Sequence, residues 1–224
     1  MAKQNRFSFD LLGQVTVVIR SAGERTLQTC KRLIIEQGLK PDSVFIVNER
    51  PFSEALKKSF QIGYKQGRPW TFCVDADVLL RPKSIITMVE YAETLPENTC
   101  EVQGFVLDKF FGGPRQAGNH LYRTALLPIA SDFIQKENHN IRPEYSTLKK
   151  MRDAGYPYHI ADYVLGTHDD EQYYEDIYRK CFTHGIKHIK HADLLGAIWK
   201  ANADIDQDFN VALCGLADGF VTKE

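Results

Sequence analysis

The chain has 224 residues, with 28 lysines and arginines against 29 aspartates and glutamates, a formal net charge of −1, 43% hydrophobic residues and 25% charged ones. These proportions suit one large globular domain, exclude a disordered chain, and give no footing to nucleic-acid binding through bulk charge. Its cysteines (Cys30, Cys73, Cys100, Cys181, Cys214) are scattered, odd in number and without CxxC spacing, which points to buried thiols in a reducing cytoplasm rather than disulfides or a zinc knuckle.

Met1–Arg6 is polar and leads into no long apolar segment, so neither a signal peptide nor a membrane span is expected, and any membrane contact would be peripheral. Val15–Ile19 is a β-branched run too short for a helix and apolar on both faces, as a buried parallel strand would be. After the polar turn Arg20–Arg25, residues Leu27, Cys30, Leu33 and Ile34 recur at helical spacing until Gly38. Ser43–Val47 predicts a second strand ending in Asn48-Glu49-Arg50. A second helix follows, carrying Phe52, Ala55, Leu56, Phe60 and Ile62 and closed by Gly67. The third strand starts at Trp70 and delivers Asp75-Ala76-Asp77 before a second apolar run. Strand–helix–strand–helix–strand order predicts a parallel sheet with right-handed crossovers, in which ligands bind beyond the carboxyl ends of the strands. Arg20-Ser21, Asn48-Glu49 and Asp75/Asp77 all fall on that rim.

Pro82 suits the first turn of a helix reaching about Ala92. Glu101–Leu107 reads as a strand, Asp108–His120 as a long glycine-rich loop able to approach a ligand, and Leu121–Leu127 as a short helix. Tyr145–Ala154 is helical in pattern and ends at Gly155. A short strand at Tyr158–Ile160 and a loop then lead to Gly166–Gln172, and a long helix follows with Tyr174, Ile177, Tyr178, Cys181 and Phe182 inward.

Along an extended segment alternate side chains share a face, so Asp75 and Asp77 are expected to point the same way. Paired carboxylates ending a buried strand are costly unless a cation meets them, either a divalent metal or a metal-bound phosphate. A strand-end Asp that caps the helix near Pro82 is the plainer alternative.

Three motifs together resemble the glycosyltransferases of the GT-A fold, in particular the large inverting family that includes many bacterial polysaccharide transferases. Val15–Ser21 is similar to that family's nucleotide-binding opening strand, Phe72–Asp77 to its Asp-x-Asp motif, and Arg142-Pro143-Glu144 through Ala154-Gly155-Tyr156 to the segment holding its catalytic acid. The likeness spans roughly residues 14 to 170 and departs at two places. Asn48-Glu49 stands where many members have an Asp pair, and Pro143-Glu144 replaces the usual Glu-Asp.

The resemblance implies an α/β fold, Rossmann-like, with a mostly parallel central sheet flanked by helices and a C-terminal helical extension. It implies a single domain with a nucleotide-sugar half over about 14–110, an acceptor half over about 111–170 and a helical part over 171–224. The implied activity is transfer of a sugar from a nucleotide-diphosphate donor to an acceptor hydroxyl, inverting and, without the glutamine-rich motif of processive synthases, non-processive. Mn²⁺ or Mg²⁺ would be held by Asp75, Asp77 and His168, with Asp75 also on the ribose or a metal-bound water. Imidazole favours Mn²⁺. Glu144 would be the general base, and Arg20, Ser21, Glu24, Asn48 and Glu49 would bind base and ribose. The acceptor would be a glycan, a lipid-linked sugar or a small molecule.

Asp169 and Asp170 need no role beyond the helix dipole, and Asp169 with Gln172 could form a capping box that leaves His168 merely exposed. Arg115, His120 and Arg123 would meet diphosphate or acceptor, or be solvated. His184, His188 and His191 recur on one flank of the long helix, and a solvated or acceptor-facing stripe is expected over a zinc site. Alternatives weighed are a haloacid dehalogenase-type phosphatase, which carries its Asp-x-Asp on the first strand with Thr or Val where this chain has Leu79; a nucleotidyltransferase, whose glycine-rich loop Arg20–Arg25 lacks; and a non-catalytic sugar-nucleotide binder.

Overall fold

The structure is a computed structural model that describes residues 11–135, 142–187 and 191–222. In chain order the elements are β1 (Val15–Arg20), α1 (Leu27–Ile35), β2 (Val44–Val47), α2 (Phe52–Gln66), β3 (Trp70–Asp75), β4 (Val78–Leu80), α3 (Ser84–Glu93), β5 (Glu101–Asp108), β6 (Gly113–Arg115) and β7 (Asn119–Arg123). They continue with α4 (Leu127–Asp132), α5 (Pro143–Asp153), β8 (Tyr158–His168), α6 (Tyr174–Lys187), α7 (Ala192–Asn202) and α8 (Gln207–Val221). The strands form one curled sheet in the order β2-β1-β3-β7-β5-β8-β4, with β6 paired to β5. β2, β1 and β3 run parallel, as do β5 and β8, while β7 lies antiparallel between β3 and β5.

Side-chain alternation sorts the buried strands into two layers. Val17 and Ile19 of β1 and Phe72 and Val74 of β3 pack with Ile34 of α1 and Met88 of α3. Val18 and Cys73 turn to the opposite face, against Leu56 and Phe60 of α2, Leu127 of α4 and Met151 of α5. The α/β architecture flanked by helices is therefore that expected from the sequence. Cys30, Cys73, Cys100 and Cys181 are buried free thiols and Cys214 is an exposed one. No helix among the described residues is long and apolar enough to cross a membrane.

A third apolar cluster joins the last helices. Ile177 and Cys181 of α6, Leu195 and Trp199 of α7 and Phe209 and Leu216 of α8 surround Phe110, just beyond β5. Trp199 Nε1 donates to the Phe110 carbonyl at 2.6 Å, tying the helices to the sheet. α8 lies directly on the backbone of α6, because a Cβ at Gly215 would stand 2.6 Å from the Tyr178 carbonyl oxygen and one at Gly219 would collide with that of Phe182. So close an approach is open only to glycine.

Five local expectations change. The Asp108–His120 segment is not a loop throughout, since β6 turns back on β5 and β7 begins at Asn119. Leu121–Leu127 is not a helix: Leu121–Arg123 completes β7, and the α-helix starts at Leu127. β7 sits mid-sheet with Asn119, His120, Leu121 and Tyr122 all buried, so the polar residues that suggested a surface segment have partners inside. β8 runs through to His168, where only Tyr158–Ile160 was expected as strand. Asp75 and Asp77 do not share one extended segment, because the chain turns at Ala76-Asp77 and β4 leaves for the far edge of the sheet beside β8. Of the inward positions expected on the long helix, Ile177 and Cys181 are buried while Tyr174 and Tyr178 are exposed.

Because α6 rests on α8 backbone to backbone, Gly219→Ala should reduce the unfolding free energy by about 1–3 kcal/mol. A fall in the urea midpoint at unchanged m-value would register it, and an unchanged midpoint would contradict the glycine contact.

Candidate functional site

The turn between β3 and β4 is pinned on three sides. Ala76 N donates to the Arg20 carbonyl at 2.9 Å, Thr26 Oγ1 to the Ala76 carbonyl at 2.8 Å, and Asp169 N to the Asp77 carbonyl at 3.3 Å. A tight approach from β7 completes it. Gly118, at φ 58°, accepts from Asp75 N through its carbonyl at 2.8 Å, and a Cβ there would lie 3.0 Å from Asp75 Oδ2. The curl of the sheet thus gathers the carboxyl ends of β1, β3 and β8 in one place.

Asp77, His168 and Asp169 each offer a ligand atom within 4.8 Å of the others. His168 Nδ1 is 2.7 Å from Asp108 Oδ2, which leaves Nε2 facing Asp77 Oδ2 at 3.6 Å. A carboxylate behind a histidine is the arrangement that fixes ring orientation and raises ligand basicity at metal centres. Asp108 is itself tied to Arg115, with Nε 2.9 Å from its Oδ2. Asp169 takes a left-handed backbone, φ 60°, a conformation Asp tolerates better than most residues and one that clusters at functional sites. Burial pushes the Asp77 carboxyl up to about 7, against the opposing pull of His168, and Asp77 Oδ1 is buried without a hydrogen-bond partner. An orphaned carboxylate oxygen, an imidazole nitrogen and a second carboxylate fit Mn²⁺ or Mg²⁺, with the nitrogen favouring Mn²⁺. Asp77 does not cap the following helix, which has no side-chain cap.

Asp75 stands apart from that group. Its Oδ1 accepts from Arg20 Nε at 2.8 Å, while Arg20 Nη1 donates to Glu144 Oε1 at 2.7 Å. Arg20 is buried, and its guanidinium lies 4.9 Å from the centre of the Phe52 ring. Glu144, opening α5, also accepts from Tyr122 Oη at 2.6 Å and has Oε2 3.0 Å from His120 Nε2. His120 Nδ1 in turn meets Glu101 Oε1 at 2.8 Å. Burial would raise the Glu144 carboxyl, but Arg20 and then His120 hold it well below the usual carboxylate range. Burial would lower His120, yet Glu144 and Glu101 drive it up to about 9. Glu101 is fully buried and is raised by that burial.

Between these two networks lies a cavity of about 380 Å³ lined by Ser21, Glu24, Glu49, Asp75 and Asp77 among others. Ser21 Oγ donates to Glu24 Oε2 at 2.8 Å, and Glu49 Oε2 accepts from Asn48 N at 3.0 Å. Asn48 is exposed and outside the lining of that cavity. A second cavity of about 450 Å³ opens on the other side of Glu144, with Gln103, His120, Tyr145, Tyr158 and Ile160 on its walls. Arg123 is not at either cavity and instead covers the Trp70 ring at 4.5 Å. Of the three histidines on the flank of the long helix, His184 packs against Phe111 with centroids 5.6 Å apart, His191 precedes α7, and His188 lies outside the described residues.

Asp169, expected only to suit the helix dipole or a capping box, belongs to the acidic group, and Asp108, Tyr122 and Lys180 carry no signal in the sequence. The parallel register Asp108↔His168 between β5 and β8 is what brings β5 to the Asp77–His168–Asp169 group, and a strand confined to Tyr158–Ile160 would not reach it. Lys180 Nζ is 2.5 Å from Asp169 Oδ1.

No protein-family model and no curated protein matches the sequence. Solved structures do match. A glycosyltransferase involved in glycosylation of the major capsid of PBCV-1 is similar at a TM-score of 0.50 and 13% identity, covering 72% of this chain and 96% of its own. A mannosyltransferase from Pyrobaculum calidifontis, solved with GDP-Man and Mn²⁺, gives 0.48 and 14%, covering 93% and 74%. A cytidylyltransferase from Leptospira borgpetersenii gives 0.47 and 9%, covering 76% and 87%. The chain has a GT-A-like fold.

His120 carries a sign-defined prediction. Its folded pKa lies above the ordinary 6.5, so its stabilising share is fully present below pH 6.5 and disappears as pH rises through about 9. His120→Asn should therefore lower Tm most below pH 6.5, with the gap to wild type closing by pH 9–10; a pH-independent gap would contradict a charged, doubly paired imidazole.

Proposed function

We propose that this protein is a metal-dependent glycosyltransferase that moves a sugar from a nucleotide-diphosphate donor to an acceptor hydroxyl. The observation that carries the reading is the Asp77–His168–Asp169 group, set beside a cavity that also holds Asp75, Ser21 and Glu49. A bound divalent ion would neutralise charge on the departing diphosphate. Asp77, His168 and Asp169 would hold that ion, and Asp108 keeps the His168 ring turned with Nε2 inward. Ser21, Glu24 and Glu49 bind base and ribose in the first cavity, with Asp75 on the ribose or a metal-bound water. Asn48 contributes to this set through Glu49, whose carboxylate it holds with its backbone N–H. The wider cavity beside Glu144 takes the acceptor.

Glu144 is the general base in this reading, and its environment dictates when it acts. Arg20, Tyr122 and His120 leave it weakly basic, so it accepts the proton late, once the bond from the acceptor oxygen to the anomeric carbon has made that proton strongly acidic. Attack from Glu144's side, opposite the diphosphate, inverts the anomeric centre. A cytoplasmic, non-processive enzyme with the domain division expected from the sequence completes the proposal.

The donor is tested by a thermal-shift screen of UDP-, GDP-, CMP- and dTDP-sugars with and without Mn²⁺. At least one sugar nucleotide should raise Tm only when Mn²⁺ is present, and no shift with any pair would remove the transferase reading. Asp77→Asn should abolish the Mn²⁺-dependent part of that shift. Glu144→Gln should keep the shift but release nucleoside diphosphate from the donor about 10²–10⁴-fold more slowly, and turnover at the wild-type rate would remove Glu144 as the base.

A further inference from the structure

The metal group already contains a cation. Lys180, on α6, places Nζ 2.5 Å from Asp169 Oδ1 and 3.8 Å from Asp77 Oδ2, so one ammonium touches both carboxylates of the group. Two buried carboxylates cannot be left uncompensated away from water, and Lys180 supplies a positive charge against them. A divalent ion held by Asp77, His168 and Asp169 would sit within contact range of that same ammonium. Two like charges so close in a partly buried site repel, so Lys180 and the ion compete for the carboxylates.

The side chain has somewhere to go. It is 37% exposed and lines a cavity of about 410 Å³ that also reaches Asp77, Ala22 and Glu24, continuous in its lining with the donor cavity through those residues. Arg179 borders both cavities as well, but its side chain is 69% exposed and its guanidinium is paired to Asp176 at 2.7 Å on its own helix. Lys180 is the cation at hand. α6 cannot slide away from the site, because α8 grips its backbone through Gly215 and Gly219. The lysine must therefore move by its own flexible stem.

We propose that Lys180 is a tethered counter-cation: it holds the Asp77–Asp169 pair in the metal-free protein, is displaced by the divalent ion, and then binds the donor diphosphate. This rests on the donor and metal reading given above. It makes Lys180 a brake on metal binding and an aid to donor binding, two effects of opposite sign that a merely structural ion pair would not produce. A compact ammonium on a flexible four-carbon stem is suited to such an exchange, being a point charge with rotatable donors.

The test uses the full chain and compares wild type with Lys180→Met and Lys180→Arg. Mn²⁺ alone is titrated first, by the EPR signal of the free ion. The nucleoside diphosphate among UDP, GDP, CDP and dTDP that stabilises wild type most is then titrated at saturating Mn²⁺ by calorimetry. Lys180→Met should bind Mn²⁺ alone at least about tenfold more tightly and the nucleoside diphosphate at least about tenfold more weakly. Lys180→Arg should keep the nucleotide affinity within about threefold of wild type. If Lys180→Met is too unstable to titrate, the Mn²⁺-induced rise in Tm replaces the titration and should exceed that of wild type. Unchanged or weaker Mn²⁺ binding by Lys180→Met, or unchanged nucleotide binding, overturns the role of Lys180 while leaving the transferase reading intact. Wild type that binds neither Mn²⁺ nor any of the four nucleotides overturns both.

Discussion

Arg20 ends β1 beneath the floor of the cleft, with its guanidinium buried between two carboxylates and an aromatic face. One oxygen belongs to Asp75 on β3 and the other to Glu144 on α5, so a single side chain joins the parallel half of the sheet to the helix beyond residue 142. Removing either acid would strand a buried charge, which is far more costly than losing an exposed ion pair. Glu144 reaches on through His120 to Glu101, and the chain of alternating charges crosses the sheet interior. β7 is possible at the centre of that sheet because its histidine and tyrosine have these partners.

A second set of charges stands a few residues away and is built on the opposite principle. Around Asp77 the acids outnumber the fixed cations, and one carboxylate oxygen has no partner. Glu144 itself has both oxygens engaged, Oε1 by Arg20 and Tyr122 and Oε2 by His120. The first network is suited to take up a cation and the second to hold Glu144 in a fixed place beside the cleft. The turn at Ala76-Asp77 separates the two, sending Asp75 to Arg20 and Asp77 to His168. The Asp-x-Asp spacing therefore serves as a junction between two networks, whereas a straight strand would have presented both acids to one ligand.

The helical cluster around Phe110 belongs to the same logic. α6 carries Lys180 to the acidic group, and its position depends on a glycine contact with α8 and on Trp199 reaching the Phe110 carbonyl. Residues far along the chain thus set the electrostatics at a turn near its first third. The coupling is through packing, and glycine is the residue that lets two helix backbones come close enough for it to be stiff.

Local pattern was enough to read β1, α1, β2, α2 and β3 and the rim on which Arg20, Asp75 and Asp77 fall, because unbroken apolar runs and 3.6-residue spacing depend only on near neighbours. The same holds for α5, whose apolar face and closing Gly155 are local. Asp77 and His168 could be singled out, but not Asp169 or Lys180, and β7 could not be recognised at all. Its sequence, Asn-His-Leu-Tyr-Arg, reads as polar until Glu101 and Glu144 are placed beside it. Which acid meets which base is a matter of sheet order, register and curl, as the pairing of Asp108 with His168 across sixty residues illustrates. Side-chain chemistry along the chain determined that a cation must be found for Asp75 and Asp77. Only the tertiary structure decided that the two find different ones, because the cost of burying a charge depends on what long-range packing sets next to it.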